Sequence, residues 1–390
     1  MQRTWWVPLA GAAALGIAMV QDAPPATDRV ARLNHALAQH ERALTRDPST
    51  GYLLSVLDAL GVPVESQLLV FSKTGVQRAY TGPRNPRALF FDQSVVVGYA
   101  PGAPMLEIAA HDPQQGVVFY TLDQAAATPV FTRRTSCLTC HESASTLDVP
   151  GLIARSNTVG EDGTVLAQTA GHDVDHQTRH PDRWGGWFVT SEDGAPPYSQ
   201  LAHLGNITFS GKGNTSNQVF VDWMNSAPEA RGYPSWSSDI AGLLVFDHQV
   251  HAINLLTKLN LLSRGNGPIA PLVTELADYL LFAGEEPPSV PLTPRAEFAA
   301  NLESRTPKDS RGRSFGQLDL NTRLLRYPCS YMVYSEAFDG LPPDVKAAVY
   351  RRMLDTLSET DARASRVHVT AADRRAILEI LRDAKPGFPG

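Results

Sequence analysis

The sequence predicts an α+β fold in which a strand-rich N-terminal segment packs with a mainly helical, loop-rich domain and C-terminal helices. Three observations predict it. Short β-branched and aromatic runs crowd residues 66–128, with turn residues between them. Apolar residues recur near 3.6 spacing on both sides of that segment. The middle of the chain combines many glycines and histidines with one long, almost wholly apolar run from Ser238 to Leu262.

Residues 1–25 read as a secretory signal peptide. Met1-Gln2-Arg3 gives a positive start, Trp5 to Val20 is apolar apart from small residues and Pro8, and the chain turns polar at Gln21-Asp22. Cleavage is expected between residues 18 and 25, and the mature chain is expected in the periplasm or otherwise exported. An uncleaved anchor is the alternative, although about 16 apolar residues fall short of a comfortable span. No later segment is long and apolar enough to cross a membrane, so no span is expected in the mature chain.

N-terminal helices are expected over 26–65, because Val30, Leu33 and Leu37, then Tyr52, Leu53, Val56, Leu57 and Leu60, keep helical spacing around a break at Pro48–Gly51. Within 66–128 the strands are Gln67–Ser72, Ala88–Phe91, Val95–Tyr99, Met105–Ala110 and Gly116–Leu122. Pro83-Arg84-Asn85-Pro86 and Pro101-Gly102-Ala103-Pro104 supply turns between them. Residues 129–284 hold the histidine-rich region and the capped apolar helix that starts at Ser238-Asp239-Ile240. Residues 285–390 open on a proline-rich break and close on amphipathic helices near 343–357 and 371–384. Between them, Arg305 to Arg326 carries six basic and two acidic side chains, read as a solvated surface, with a docking patch for an acidic partner as the alternative.

Composition bounds the function classes. With 43% apolar and 19% charged residues the chain is an ordinary globular protein, and a formal charge of −6 argues against nucleic acid as a partner. Three cysteines cannot build a disulfide scaffold.

Two of those cysteines carry the chemistry. Cys137-Leu138-Thr139-Cys140-His141 is a Cys-x-x-Cys-His motif, the attachment site of one covalently bound haem c. Sulfurs three residues apart reach two vinyl groups of one porphyrin, and the following imidazole falls under the iron. A zinc site would need a second pair of soft ligands, and Cys329 stands alone, read as a buried packing residue. A thioredoxin-like redox centre would need a βαβ unit that the pattern does not show.

The series continues beyond the motif. Leu69 to Thr74, Pro86-Arg87-Ala88, Val97-Gly98-Tyr99, Phe119 to Leu122, Val149-Pro150-Gly151 and Arg155-Ser156 come with Arg183-Trp184-Gly185-Gly186-Trp187, His203-Leu204-Gly205-Asn206, Ser238-Asp239-Ile240, His248-Gln249, Asn254 and Pro328-Cys329-Ser330-Tyr331. Together, over residues 66–335, the chain resembles a group of exported bacterial monohaem proteins described as cytochrome c domain-containing. The resemblance implies haem binding and electron transfer, and no substrate. Leu204 stands where members of that group often carry methionine, so a methionine ligand at that position is excluded.

The sixth iron ligand is therefore sought among histidines. His203 and His248 lead, the first beside a glycine that permits close backbone approach, the second in an apolar helix where an unpaired imidazole costs roughly 1–3 kcal/mol. Iron, a propionate or a hydrogen bond to a neighbouring helix would each satisfy His248. His176 and Met224 follow. Arg155, Arg183, Trp184 and Trp187 are the candidates for the haem edge, since guanidinium forks match propionates and an indole packs on the ring while its N–H donates. The paired glycines between the tryptophans would give both room beside a large planar ligand. Two functions follow: an electron-transfer protein serving a redox partner protein, or a haem enzyme of peroxidase type with an open distal site. A structural or gas-sensing module is the third.

Overall fold

A computed structural model describes residues 25–166, 171–190, 232–235, 237–265, 267–288, 291–358 and 369–389. It has mixed α and β structure. Helices α1 (Arg29–Ala38) and α2 (Leu53–Leu60) lead into a six-stranded antiparallel sheet whose strands pair in sequence order. These are β1 (Leu68–Val70), β2 (Arg87–Phe91), β3 (Val95–Tyr99), β4 (Met105–Asp112), β5 (Gly116–Asp123) and β6 (Thr132–Arg133). The sheet thus runs a few residues past 128. β1 is shorter than the apolar run Gln67–Ser72 suggests, because the Phe71 and Ser72 N–H groups donate to the Gly186 carbonyl at 2.8 and 3.0 Å.

Both faces of the sheet are covered, which is why β3 and β5 read as nearly continuous apolar runs instead of alternating ones. One face, with Leu69, Phe90, Val97, Ile108, Val118 and Tyr120, packs on α1 and α2 through Val30, Leu53, Val56 and Leu57. The other face, with Leu68, Val70, Phe91, Val96, Val117 and Phe119, packs on the central helix α4 (Ile240–Arg264). Short elements come between: helix α3 (Leu138–His141) and a two-stranded ribbon of β7 (Arg155–Ser156) and β8 (His172–Asp173).

Helix α4 is buried along most of its length, its polar side chains included, with α5 (Ala270–Leu280) and the C-terminal part of the chain wrapped on it. That part comprises α6 (Ala296–Ser304), α7 (Glu336–Asp339), α8 (Pro343–Leu357) and α9 (Ala371–Ala384). Cys329 is fully buried in this core, and burial pushes its thiol far up. The basic stretch before it is largely paired within the molecule. Arg311 and Arg313 both reach Glu379 of α9, Arg323 reaches Asp373, and Lys308 reaches Glu303. No helix among the described residues is long and apolar enough to cross a membrane.

Protein segments hydrogen-bond alongside both β1 and β5. Outside β1, the Phe188 N–H donates to the Leu69 carbonyl at 2.9 Å, and the Leu69 N–H donates to Ser238 Oγ at 2.9 Å. Outside β5, beyond the two residues of β6, Arg134 N–H donates to the Phe119 carbonyl at 2.8 Å and Val117 N–H to the Pro150 carbonyl at 2.9 Å.

Candidate functional site

The motif lies on the sheet face that also receives α4. A 3-10 turn, Thr135–Cys137, runs into α3, so Cys137 and Cys140 fall on one side of a single helical turn. Cys137 is half-buried, Cys140 is exposed, and neither is in a disulfide. Burial raises the Cys137 thiol, Glu107 adding to the effect and Arg134 opposing it.

His141 is held by its own loop. Its Nδ1 lies 3.0 Å from the Gly151 carbonyl, and the Gly151 N–H donates back to the His141 carbonyl at 2.9 Å. A carbonyl oxygen only accepts, so the ring carries its proton on Nδ1 and keeps a lone pair on Nε2. Nε2 has no hydrogen-bond partner among the described residues. Burial is the main reason that His141 titrates below the usual histidine range, so the ring is neutral at neutral pH. Phe119 of β5 packs on it, with ring centroids 4.6 Å apart.

The loop is fixed in turn by α4. The Asn254 side chain accepts from the Leu152 N–H at 2.9 Å and donates to the Leu152 carbonyl at 2.8 Å. Gly151 is needed beside it, because a Cβ there would collide with Asn254 Oδ1 and lie 3.0 Å from Thr146 Cβ. Gly116 meets a similar limit: its φ is +74°, and a Cβ would sit 2.7 Å from the Pro150 carbonyl. Helix, sheet and motif therefore share one set of contacts.

The other expected site residues divide between this place and a second, buried one. Arg155 is near the motif. Its Nη2 donates to Ser145 Oγ at 2.9 Å and its Nε to Asp173 at 3.0 Å, and the guanidinium is 41% exposed. Trp187 Nε1 donates to the Arg155 carbonyl at 2.9 Å. Arg183 and Trp184 instead meet Asp247 of α4. The Arg183 side chain, 1% exposed, also donates to the carbonyls of Thr178 and His176, and Trp184 Nε1 donates to Asp247 at 2.9 Å. This corrects the expectation that the arginine fork and the indole N–H are open to propionates. The intervening glycines also have another cause: a Cβ on Gly185 would collide with the Asn157 backbone, and one on Gly186 would lie 2.7 Å from Ser72 Cβ.

His248 is fully buried, and both of its ring nitrogens are taken. Nδ1 lies 2.7 Å from His176 Nδ1, and Nε2 lies 2.6 Å from Ser330 Oγ. The cost of burying this imidazole is thus met by neighbouring segments of protein, one of the three partners open to it. Tyr279 and Phe282 stack on it at 5.0 and 4.3 Å. Burial drives His248 well below the usual histidine range and His176 down to about 4, so both rings are neutral. His203 and Met224 lie outside the described residues, as does most of the expected signal segment. Among the described residues no three His, Cys, Asp or Glu side chains converge as a metal-ion cage.

Sequence reasoning did not single out Phe119, Asn254 or the Gly151 carbonyl as parts of the site. Asn254 carried a readable signal, a polar residue inside an otherwise apolar helix. The chain matches no family model, no curated protein and no solved structure.

Proposed function

We propose that the chain is a monohaem c-type cytochrome that transfers electrons outside the cytoplasm, with one haem joined to Cys137 and Cys140 and His141 as its axial ligand. The observation that carries this reading is the state of His141: neutral, protonated on Nδ1 by its hydrogen bond to Gly151, and with Nε2 uncommitted. Two free thiols on the same turn complete the donor set that covalent attachment requires. The haem, when bound, supplies one-electron exchange at its iron. The protein's own part is to orient the imidazole through Gly151 and Asn254 and to dry one side of the site with Phe119. A redox partner protein would exchange electrons with the bound group.

The test is production of the full chain with a haem-ligation system, followed by mass spectrometry and acid–acetone extraction. One added haem that resists extraction is expected, lost in Cys137→Ala/Cys140→Ala. Haem released by extraction would sink the reading. Terminal-peptide sequencing of exported material, expected to begin between residues 19 and 26, tests the periplasmic location. A low-spin optical spectrum supports electron transfer, whereas a high-spin one moves weight to a haem enzyme with an open distal site.

A further inference from the structure

A charged pair next to the motif is left incomplete in a way that no other contact explains. Arg87 of β2 and Glu107 of β4 project from the sheet face that carries Phe119, and Arg87 Nη1 lies 3.3 Å from Glu107 Oε2. Their side chains are only 20% and 17% exposed. Arg87 Nε and Glu107 Oε1 are nonetheless buried without a hydrogen-bond partner among the described residues. An unsatisfied buried polar atom costs roughly 1–3 kcal/mol, so each of these two atoms has room for one further partner. Arg87 also lies tightly over Gly75, where a Cβ would collide with its guanidinium.

Position ties the pair to the motif. Glu107 stands opposite Thr121 in the β4–β5 register, with Ala109 opposite Phe119 in the adjacent row of the same face. Diagonal neighbours on one sheet face are about 7–8 Å apart, and Phe119 is the residue on which His141 packs. Arg134, which donates to Thr121 Oγ1 at 2.9 Å, closes the row on the Cys137 side.

We propose that Arg87 and Glu107 form the charged wall of the haem site and set its reduction potential. This rests on the haem reading above. Going from ferric to ferrous removes one positive charge from the iron centre. A nearby carboxylate stabilises the ferric form and lowers the potential, and a nearby guanidinium does the reverse. The two charges therefore act in opposition, and each is a positioning-independent handle on the same quantity.

The experiment is an optically followed redox titration of the holoprotein as parent, Glu107→Gln, Arg87→Gln and Arg87→Lys, with haem content measured in each. Glu107→Gln should raise the midpoint potential and Arg87→Gln should lower it, each changing the ferric-to-ferrous ratio at fixed potential roughly tenfold. Arg87→Lys keeps the charge and should restore most of the parent value. A merely structural role would move both neutral variants the same way, with altered ligand-field spectra. Shifts of the same sign, or no shift in proteins that retain their haem, would overturn the proposal alone. A parent that binds no haem covalently would remove the haem reading and this proposal with it.

Discussion

Asn254 does for the motif loop what a neighbouring strand does elsewhere, since its amide pairs with both backbone groups of Leu152. Asn254→Ala leaves a buried N–H and a buried carbonyl unmade. It should lower stability by roughly 2–4 kcal/mol, read as a fall in the urea midpoint with little change in slope. Single residues also show where sequence reading stops. The Cys-x-x-Cys-His motif was legible because its spacing is local. The partner of His141 Nδ1, ten residues on, and that of Asn254, 102 residues back, depend on the fold. Arg183 looked available because a sequence displays its charge but not Asp247, which meets it from α4. His248 was read as a candidate iron ligand because a buried imidazole needs a partner, and the fold meets that need with His176 and Ser330.

Among the elements, α4 is capped by the residue before it, Asp239. Asp239 Oδ1 accepts from the N–H groups of Ala241 and Gly242 at 2.8 and 3.3 Å, and its Oδ2 accepts from Arg295 N–H at 2.7 Å. One side chain thus caps the central helix and ties it to the segment entering α6. Asp239→Ala should cost about 2 kcal/mol, the sum of a lost cap and a lost backbone contact. Asp239→Asn keeps a capping oxygen and should cost less than half as much; equal losses in chemical denaturation would contradict this account. The start of α4 was readable from its cap, whereas the Asp28 cap of α1 and the Thr370 cap of α9 emerge from the structure. Ser238-Asp239 announces α4, and Thr370 with Asp373 forms the capping box that opens α9. Strand ends were less legible, since β1 stops where Gly186, far away in sequence, takes over its N–H groups.

For the molecule as a whole, two sets of buried titratable groups oppose each other. Burial pushes the Asp247 carboxyl from 3.8 up to about 7 against the pull of Arg183 and Trp184, so the folded protein holds a proton there that the unfolded chain releases. Stability contributed by this group is present at low pH and falls as pH rises from about 4 to 7. Burial pushes His111, His176 and His180 down to about 4, so the unfolded chain binds protons that the folded one refuses. Their contribution rises with pH between about 4 and 6.5. The opposition predicts a shallow pH profile for the parent. Burial also raises Asp239 to about 6 and Glu285 to about 7, so Asp247→Asn removes one share of the falling component, and its stability relative to the parent should improve between pH 5 and pH 7. Urea midpoints at the two values test this, and a difference between variant and parent that stays constant over that interval would show Asp247 already ionised at the lower pH.

The covers on the two sheet edges come from segments that follow the strands they protect: residues 132–134 and Pro150 on one side, 186–188 and Ser238 on the other. Residues 132–134 and Pro150 flank the Cys137–His141 turn in the chain. Until they dock, β1 and β5 each present an open row of backbone donors and acceptors, the template on which extended chains add to one another. Once they are in place, part of each row is taken up within the molecule. Docking of residues 132–134 and Pro150 therefore takes up part of the β5 row and seats the turn that lies between them in the chain.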